Sequence, residues 1–265
     1  MTDLDPVALT GRLTAALRAR ESARDDRLFD DPFAATLAGD IGRRLLADFG
    51  DNDTIAVRTR FFDDALTGTG PRQVVIVAAG MDTRAYRLAF PAGATVFELD
   101  RPEVLALKDR LLSGNRCAVR RVAVGVDLAA DWPTPLVAAG FDPAAPTRWL
   151  VEGVAQYLAE SDVLGLLDHV TALSAAGSEL LIDVVGQSLL DSPAMRPMLD
   201  RFAGHDAPWR FGTDQPEQLL TGRGWQPMVT LISTVGNRLG RWPYPEAPRG
   251  TPGVGQGYFV RATRT

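Results

Sequence analysis

The residues best suited to chemistry in this chain sit at a turn and at the end of the strand that follows it. In VVIVAAGMDTR, Ala78, Ala79 and Gly80 stand where an apolar, β-branched run stops. Small side chains there let a ligand approach the backbone closely, and Gly80 tolerates φ > 0. Asp100 closes the next strand, VFELD, 20 residues after Gly80. An acid at that place accepts hydrogen bonds from two ribose hydroxyls, and an open α/β sheet binds its ligand in the crevice beyond its strand ends. Asp100 also precedes Arg101, Pro102 and Glu103, so capping a helix is a competing role. The glycine pattern bears on the ligand. A dinucleotide fold wants Gly-x-Gly-x-x-Gly so that a pyrophosphate can sit on the helix N-terminus. Here Ala78 and Thr83 hold the first and third places, and Asp82 would repel phosphates. A sulfonium nucleoside has no phosphate and tolerates that acid.

The elements that position these residues follow from hydrophobic periodicity. Residues 73–79 (QVVIVAA) are a continuous apolar run of the kind buried on both faces of a sheet, and 95–99, 120–126, 147–151 and 179–185 read as four further strands. Helical patterns lie between them, so the rhythm predicts a doubly wound α/β fold with a mostly parallel sheet. Residues 7–24, 30–49 and 58–66 read as helices that precede any strand, with Asp30 or Asp31 capping the second. Residues 227–233 and 256–263 are two final strands joined by a Pro/Gly-rich loop without a helix, which predicts antiparallel pairing. The expected division is an N-terminal helical cap over 1–57 and a ligand-binding domain over 58–265. Within the latter, the proline-bearing stretch 187–216, helical or irregular over 187–210, is expected to fold over the acceptor as a lid.

Composition removes several classes. A net charge of −5 lacks the clustered cations that phosphate backbones require, so no nucleic-acid partner is expected. No apolar run is long enough to cross a membrane, and the acidic N-terminus lacks the apolar segment of a signal peptide. Cys117 is the only cysteine, which fits a reducing cytoplasm, and the two histidines, His169 and His205, leave little for a metal site. Lys108 is the only lysine; every other cationic side chain of fixed charge is arginine.

Taken together, RTRFFDD, VVIVAAGMDTRAYRL, VFELDRPEVLALK, GVDL and VEGVAQYL resemble the leucine carboxyl methyltransferase family in order and spacing, from about Ala15 to the last strand. The bacterial branch associated with secondary metabolism is the nearer likeness. The resemblance implies a seven-stranded class I methyltransferase sheet, with its last strand antiparallel and a helical cap, and S-adenosyl-L-methionine as cofactor. It implies that Arg58 binds the cofactor's methionine carboxylate and that the 78–80 turn passes beneath the methionine. Asp100 would hold the ribose, Asp127 and Leu128 would frame the adenine, and Glu152 would lie near the amino group. Arg20 stands where eukaryotic members carry a cofactor-contacting lysine. Ala78 departs from the family's usual glycine, and nothing in the chain assigns a protein C-terminus as substrate.

The implied reaction is methylation of an oxygen on a small organic acceptor. A carboxylate is ionised at neutral pH and needs no general base, whereas a phenol profits from one. His205, in the lid, is the first candidate base; Asp183 and Tyr157 are weaker ones, and His169 falls on the outer face of a helix. This poverty of bases leans toward a carboxylate. Phe29, Phe33, Phe61, Phe62, Trp209 and Phe211 would wall the acceptor. Two rivals stand: an NAD-dependent oxidoreductase, and a member that binds the cofactor without catalysing transfer. A serine hydrolase is set aside because no G-x-S-x-G elbow occurs.

Overall fold

The computed structural model describes residues 6–265, and for Val7 the backbone alone; the first five residues of the expected cap lie outside it. Seven strands form one sheet: β1 (Gln73–Val77), β2 (Thr95–Asp100), β3 (Arg120–Gly125), β4 (Thr147–Val151), β5 (Glu179–Val185), β6 (Trp225–Leu231) and β7 (Gly257–Arg264). Their order is β3-β2-β1-β4-β5-β7-β6. The first five are parallel, and β7 runs antiparallel to both β5 and β6. The chain reverses direction of winding between β1 and β4, which opens a crevice at their carboxyl ends.

Alternation along the strands divides the core. Val75, Val77, Phe97, Leu99, Trp149 and Val151 face one layer of helices. Val74, Ile76, Val96, Leu150 and Leu181 face the other. Each such side chain, buried rather than exposed, stabilises the fold by roughly 1.5–3 kcal/mol.

The helices are α1 (Pro6–Ser22), α2 (Ala34–Phe49), α3 (Asp53–Thr67), α4 (Arg84–Arg87), α5 (Pro102–Leu111), α6 (Pro133–Ala138) and α7 (Glu160–Ala172), followed by α8 (Gln187–Leu190), α9 (Arg196–Gly204), α10 (Gln218–Thr221) and α11 (Ile232–Arg238). Helices α1 and α2 pack on each other and bury Ala15, Leu37 and Ala38 together with Met81 and Val104 of the sheet domain. Helix α3 begins at Asp53, capped by the Asn52 side chain on the Thr54 N–H at 2.9 Å. It therefore runs unbroken through the expected boundary at 57/58.

Three other expectations are corrected. Strand β1 ends at Val77 rather than 79 because Ala78 turns to φ +53. Helix α2 starts at Ala34 rather than 30; Asp31 Oδ1 accepts the Phe33 N–H at 3.2 Å in the turn that leads into it, while Oδ2 is taken by a buried ion pair with Arg18. Helix α11 occupies part of the link between β6 and β7, where no helix was expected. Its sequence, ISTVGNR, is a poor helix former, and tertiary packing makes up the deficit. Ile232 and Val235 are buried, and a Cβ on Gly236 would lie 3.0 Å from the Trp242 ring.

Candidate active site

The carboxyl ends of β1 to β5 open on a cavity of about 660 Å³, a size usual for small-ligand sites. Eight of the ten residues singled out in the sequence line it: Arg58, Ala78, Ala79, Gly80, Asp100, Asp127, Leu128 and Glu152.

The turn after β1 is left-handed at two positions, with φ +53 at Ala78 and +47 at Gly80. That geometry aims the Gly80 N–H at Asp100 Oδ2, 2.6 Å away, while the Arg101 N–H donates to Oδ1 at 2.7 Å. Burial pushes the Asp100 carboxyl above its ordinary pKa against these two donors. A carboxylate oxygen has two lone pairs, so each can still accept a hydroxyl from the cavity. Asp127 accepts the Ala129 N–H at 2.9 Å, and Leu128 is half-buried beside it.

A chain of arginines and acids floors the cavity. Arg58 Nε lies 2.9 Å from Glu152 Oε1, and its Nη1 lies 3.1 Å from Asp183 Oδ2. Glu152 Oε2 meets Arg84 Nη1 at 2.7 Å; the same Nη1 also pairs with Asp82, and Arg84 Nε continues to Asp63 at 2.7 Å. Burial disfavours the Arg58 charge, but Asp183 and Glu152 outweigh it and hold its pKa above the usual value. Burial likewise works against ionised Glu152, yet Arg84 and Arg58 keep it below the usual carboxylate range. At Asp183 burial wins, and its pKa is raised despite Arg58. Gly153, at φ +67, lets Arg58 lie close, since a Cβ there would sit 2.9 Å from Arg58 Nη1.

Behind the turn, Lys108 is fully buried; its Nζ lies 2.6 Å from Glu98 Oε2 and donates to the Asp82 carbonyl at 3.1 Å. Arg87 pairs with Asp63 at 2.6 Å and so ties α4 to α3.

Two expected residues lie elsewhere. Arg20 points away from the cavity and pairs with Asp51 at 2.7 Å, more than half exposed. Two helical positions differ by about 200° around the axis, and it is Arg18 that faces inward, donating to the Met81 carbonyl at 2.6 Å. His205 is not a cavity base. It follows the last turn of α9, where Asp48 Oδ2 holds its Nε2 at 2.8 Å on the outer surface and Phe49 packs against the ring.

The aromatic walls also differ from expectation. Trp209 lines the cavity, joined by Phe202. Phe61 and Phe62 instead pack on Phe259 in the core, and Phe33 packs on Tyr86. Phe211 is core, and Phe29 lies under the Arg87 guanidinium. Tyr157 lines the cavity, with its hydroxyl pKa raised by burial, and His169 is exposed on α7.

The family model for leucine carboxyl methyltransferase matches residues 12–171. The chain belongs to that family. It is a family of S-adenosyl-L-methionine-dependent methyltransferases, and relatives along the whole chain carry that name provisionally. One from Parafrankia sp. (strain EAN1pec) is 40% identical over 97% of this chain and 87% of its own length. Another, from Mycolicibacterium gilvum (strain PYR-GCK), is 40% identical over 97% and 94%. Solved structures similar in fold include a DUF574 family protein from Streptomyces avermitilis (TM-score 0.61, 12% identity, 97% of each chain). A provisionally named methyltransferase from Thermobifida fusca has TM-score 0.59 at 16% identity, over 96% of this chain and 94% of its own. The architecture is that of a class I methyltransferase.

The site suits this family's cofactor. Seven carboxylates and six guanidiniums line the cavity, formally one unit negative, and a sulfonium amino acid nucleoside carries one net positive charge. No pyrophosphate seat exists at the turn. Helix α4 has four residues, and its first amide is taken by Asp82 Oδ1 at 2.7 Å, which disfavours the dinucleotide rival.

Proposed function

We propose that the protein is an O-methyltransferase that uses S-adenosyl-L-methionine to methylate a carboxylate or hydroxyl oxygen of a small organic acceptor. The observation that carries this reading is the single cavity joining the turn, Asp100 and the arginine–acid floor to an apolar side closed by the segment after β5. Bound there, the cofactor would supply an electrophilic methyl group to an acceptor oxygen, its sulfur keeping the electron pair of the broken C–S bond. The protein's share is alignment and exclusion of water. Asp100 would accept the two ribose hydroxyls. Leu128 would pack on the adenine and Asp127 would accept from its amino group. Arg58, fixed by Glu152 and Asp183, would present its remaining donors to the methionine carboxylate, while Glu152 balances the ammonium.

No imidazole faces the cavity. His205 is held outside it by Asp48, and burial keeps the Tyr157 hydroxyl protonated at neutral pH. An acceptor that arrives already ionised needs neither. That favours a carboxylate, becoming a methyl ester, over a hydroxyl.

The test is calorimetric. S-adenosyl-L-methionine is expected to bind the wild-type protein and NAD is not. Asp100→Ala should weaken cofactor binding at least tenfold with an unchanged circular dichroism spectrum. Unaltered affinity would overturn the ribose role. Transfer of radiolabelled methyl into a metabolite extract separates an active enzyme from a cofactor-binding relative, and base-stable label would exclude the ester.

A further inference from the structure

We propose that the cavity mouth binds a second, non-reacting anionic group of the acceptor, and that Arg210 is the residue that holds it. This rests on the methyl-transfer reading above. Six arginines line the cavity. Four are committed to acids: Arg18 to Asp31, Arg58 to Glu152 and Asp183, Arg84 to Asp63 and Glu152, and Arg87 to Asp63. Arg101 is partnered as well. Arg210 differs. Its backbone N–H is pinned to the Gln156 carbonyl at 2.6 Å, yet its guanidinium has no partner among the described residues. The backbone is fixed beside the cavity, and no acid among the described residues neutralises the guanidinium.

Position separates this cation from the chemistry. Methyl transfer needs a dry site, and the Arg58 and Glu152 side chains are only 11% and 14% exposed. Arg210 is exposed at the rim. An anion that meets it is therefore not the attacking oxygen. Met195, Met198, Phe202 and Trp209 line the same cavity and give it an apolar wall.

The acceptor that fits is an amphiphile, with an apolar body along that wall and an oxyanion, carboxylate or phosphate, at its outer end. A guanidinium fork matches either one in a two-point contact. Asp206 rims the mouth too and makes no ion pair with Arg210. Its repulsion acts through solvent and is screened by salt, whereas the fork makes direct contact. A group held alike in ground and transition states acts on KM rather than kcat.

The experiment titrates octanoate, octyl phosphate and octanamide into protein first saturated with S-adenosylhomocysteine. At least one anion is expected to bind tenfold or more tightly than the amide; which anion does so identifies the headgroup. Arg210→Gln should bring all three within twofold of one another, Arg210→Lys should keep an intermediate preference, and affinity for S-adenosylhomocysteine should be the same in every variant. Failure to load S-adenosylhomocysteine would overturn the cofactor reading and this inference with it. Three results on loaded protein would overturn this inference alone: anions binding no better than the amide, a preference surviving Arg210→Gln, or methyl octanoate formed on incubation with S-adenosyl-L-methionine.

Discussion

Ala78 holds a conformation that an L-amino acid adopts only at a cost. At φ +53 its methyl group crowds the following carbonyl, worth roughly 1–2 kcal/mol. The turn needs that angle, because it aims the next amides at Leu99 and Asp100. Glycine removes the crowding but gains freedom in the unfolded chain, about 0.4–1 kcal/mol in the opposite direction. Ala78→Gly is therefore expected to stabilise by about 0.5–1 kcal/mol, seen as a rise of about 1–4 °C in Tm; a fall in a calorimetric scan would contradict this. The turn and Asp100 were legible in the sequence because their chemistry is local, a matter of side-chain size and of one acid 20 residues on. Arg58 was legible only through the family likeness. Its partner Asp183 lies 125 residues downstream, and no spacing rule connects them. Arg20 and His205 were misplaced because a side chain's direction depends on helix phase and on a distant partner, Asp48 or Asp51, that periodicity does not reveal.

At the scale of elements, the joint between α1 and the sheet rests on Asp31. Its carboxylate is fully buried, 2.9 Å from Arg18 of α1, and it accepts the Thr83 hydroxyl at 2.7 Å below the turn after β1. Burial alone would raise its pKa, but Arg18 and Arg87 outweigh burial and hold it below the usual range. A carboxyl with a depressed folded pKa contributes stability above its unfolded pKa, about 3.9. That contribution fades as pH falls through the lower folded value. Asp31→Asn leaves Arg18 buried without its counter-charge and is expected to cost about 3–5 kcal/mol near neutral pH. Urea melts should show the gap between wild type and variant narrowing below about pH 4; a gap that stays constant into acid would remove Asp31 from the joint. The inner parallel strands β1, β2, β4 and β5 were legible because burial on both faces writes apolar runs, whereas the largely uncovered edge strand β3 was legible from its place in the alternation. Helix α11 was not, because the packing of Gly236 on Trp242, rather than propensity, sustains it.

At the scale of the molecule, the mostly parallel sheet followed from the alternation of strands and helices, its seven strands and antiparallel last strand came with the family likeness, and the strand order is visible only in the structure. The bounds of α8 and α9 were not legible, since prolines and short segments blur their period. Lys108 has a consequence for the whole chain. It is the only lysine, and its side chain is 0% exposed, locked between Glu98 and the Asp82 carbonyl. The folded surface therefore offers acylating reagents no ε-amine, whatever amine begins the chain. Intact-mass spectrometry after brief treatment with an N-hydroxysuccinimide ester should find Lys108 unmodified in buffer and acylated only as urea opens the domain. Adduct at Lys108 well below the unfolding midpoint would mean that the ground beneath the turn after β1 breathes on its own. In its absence, that one amine serves as an internal clock for global opening.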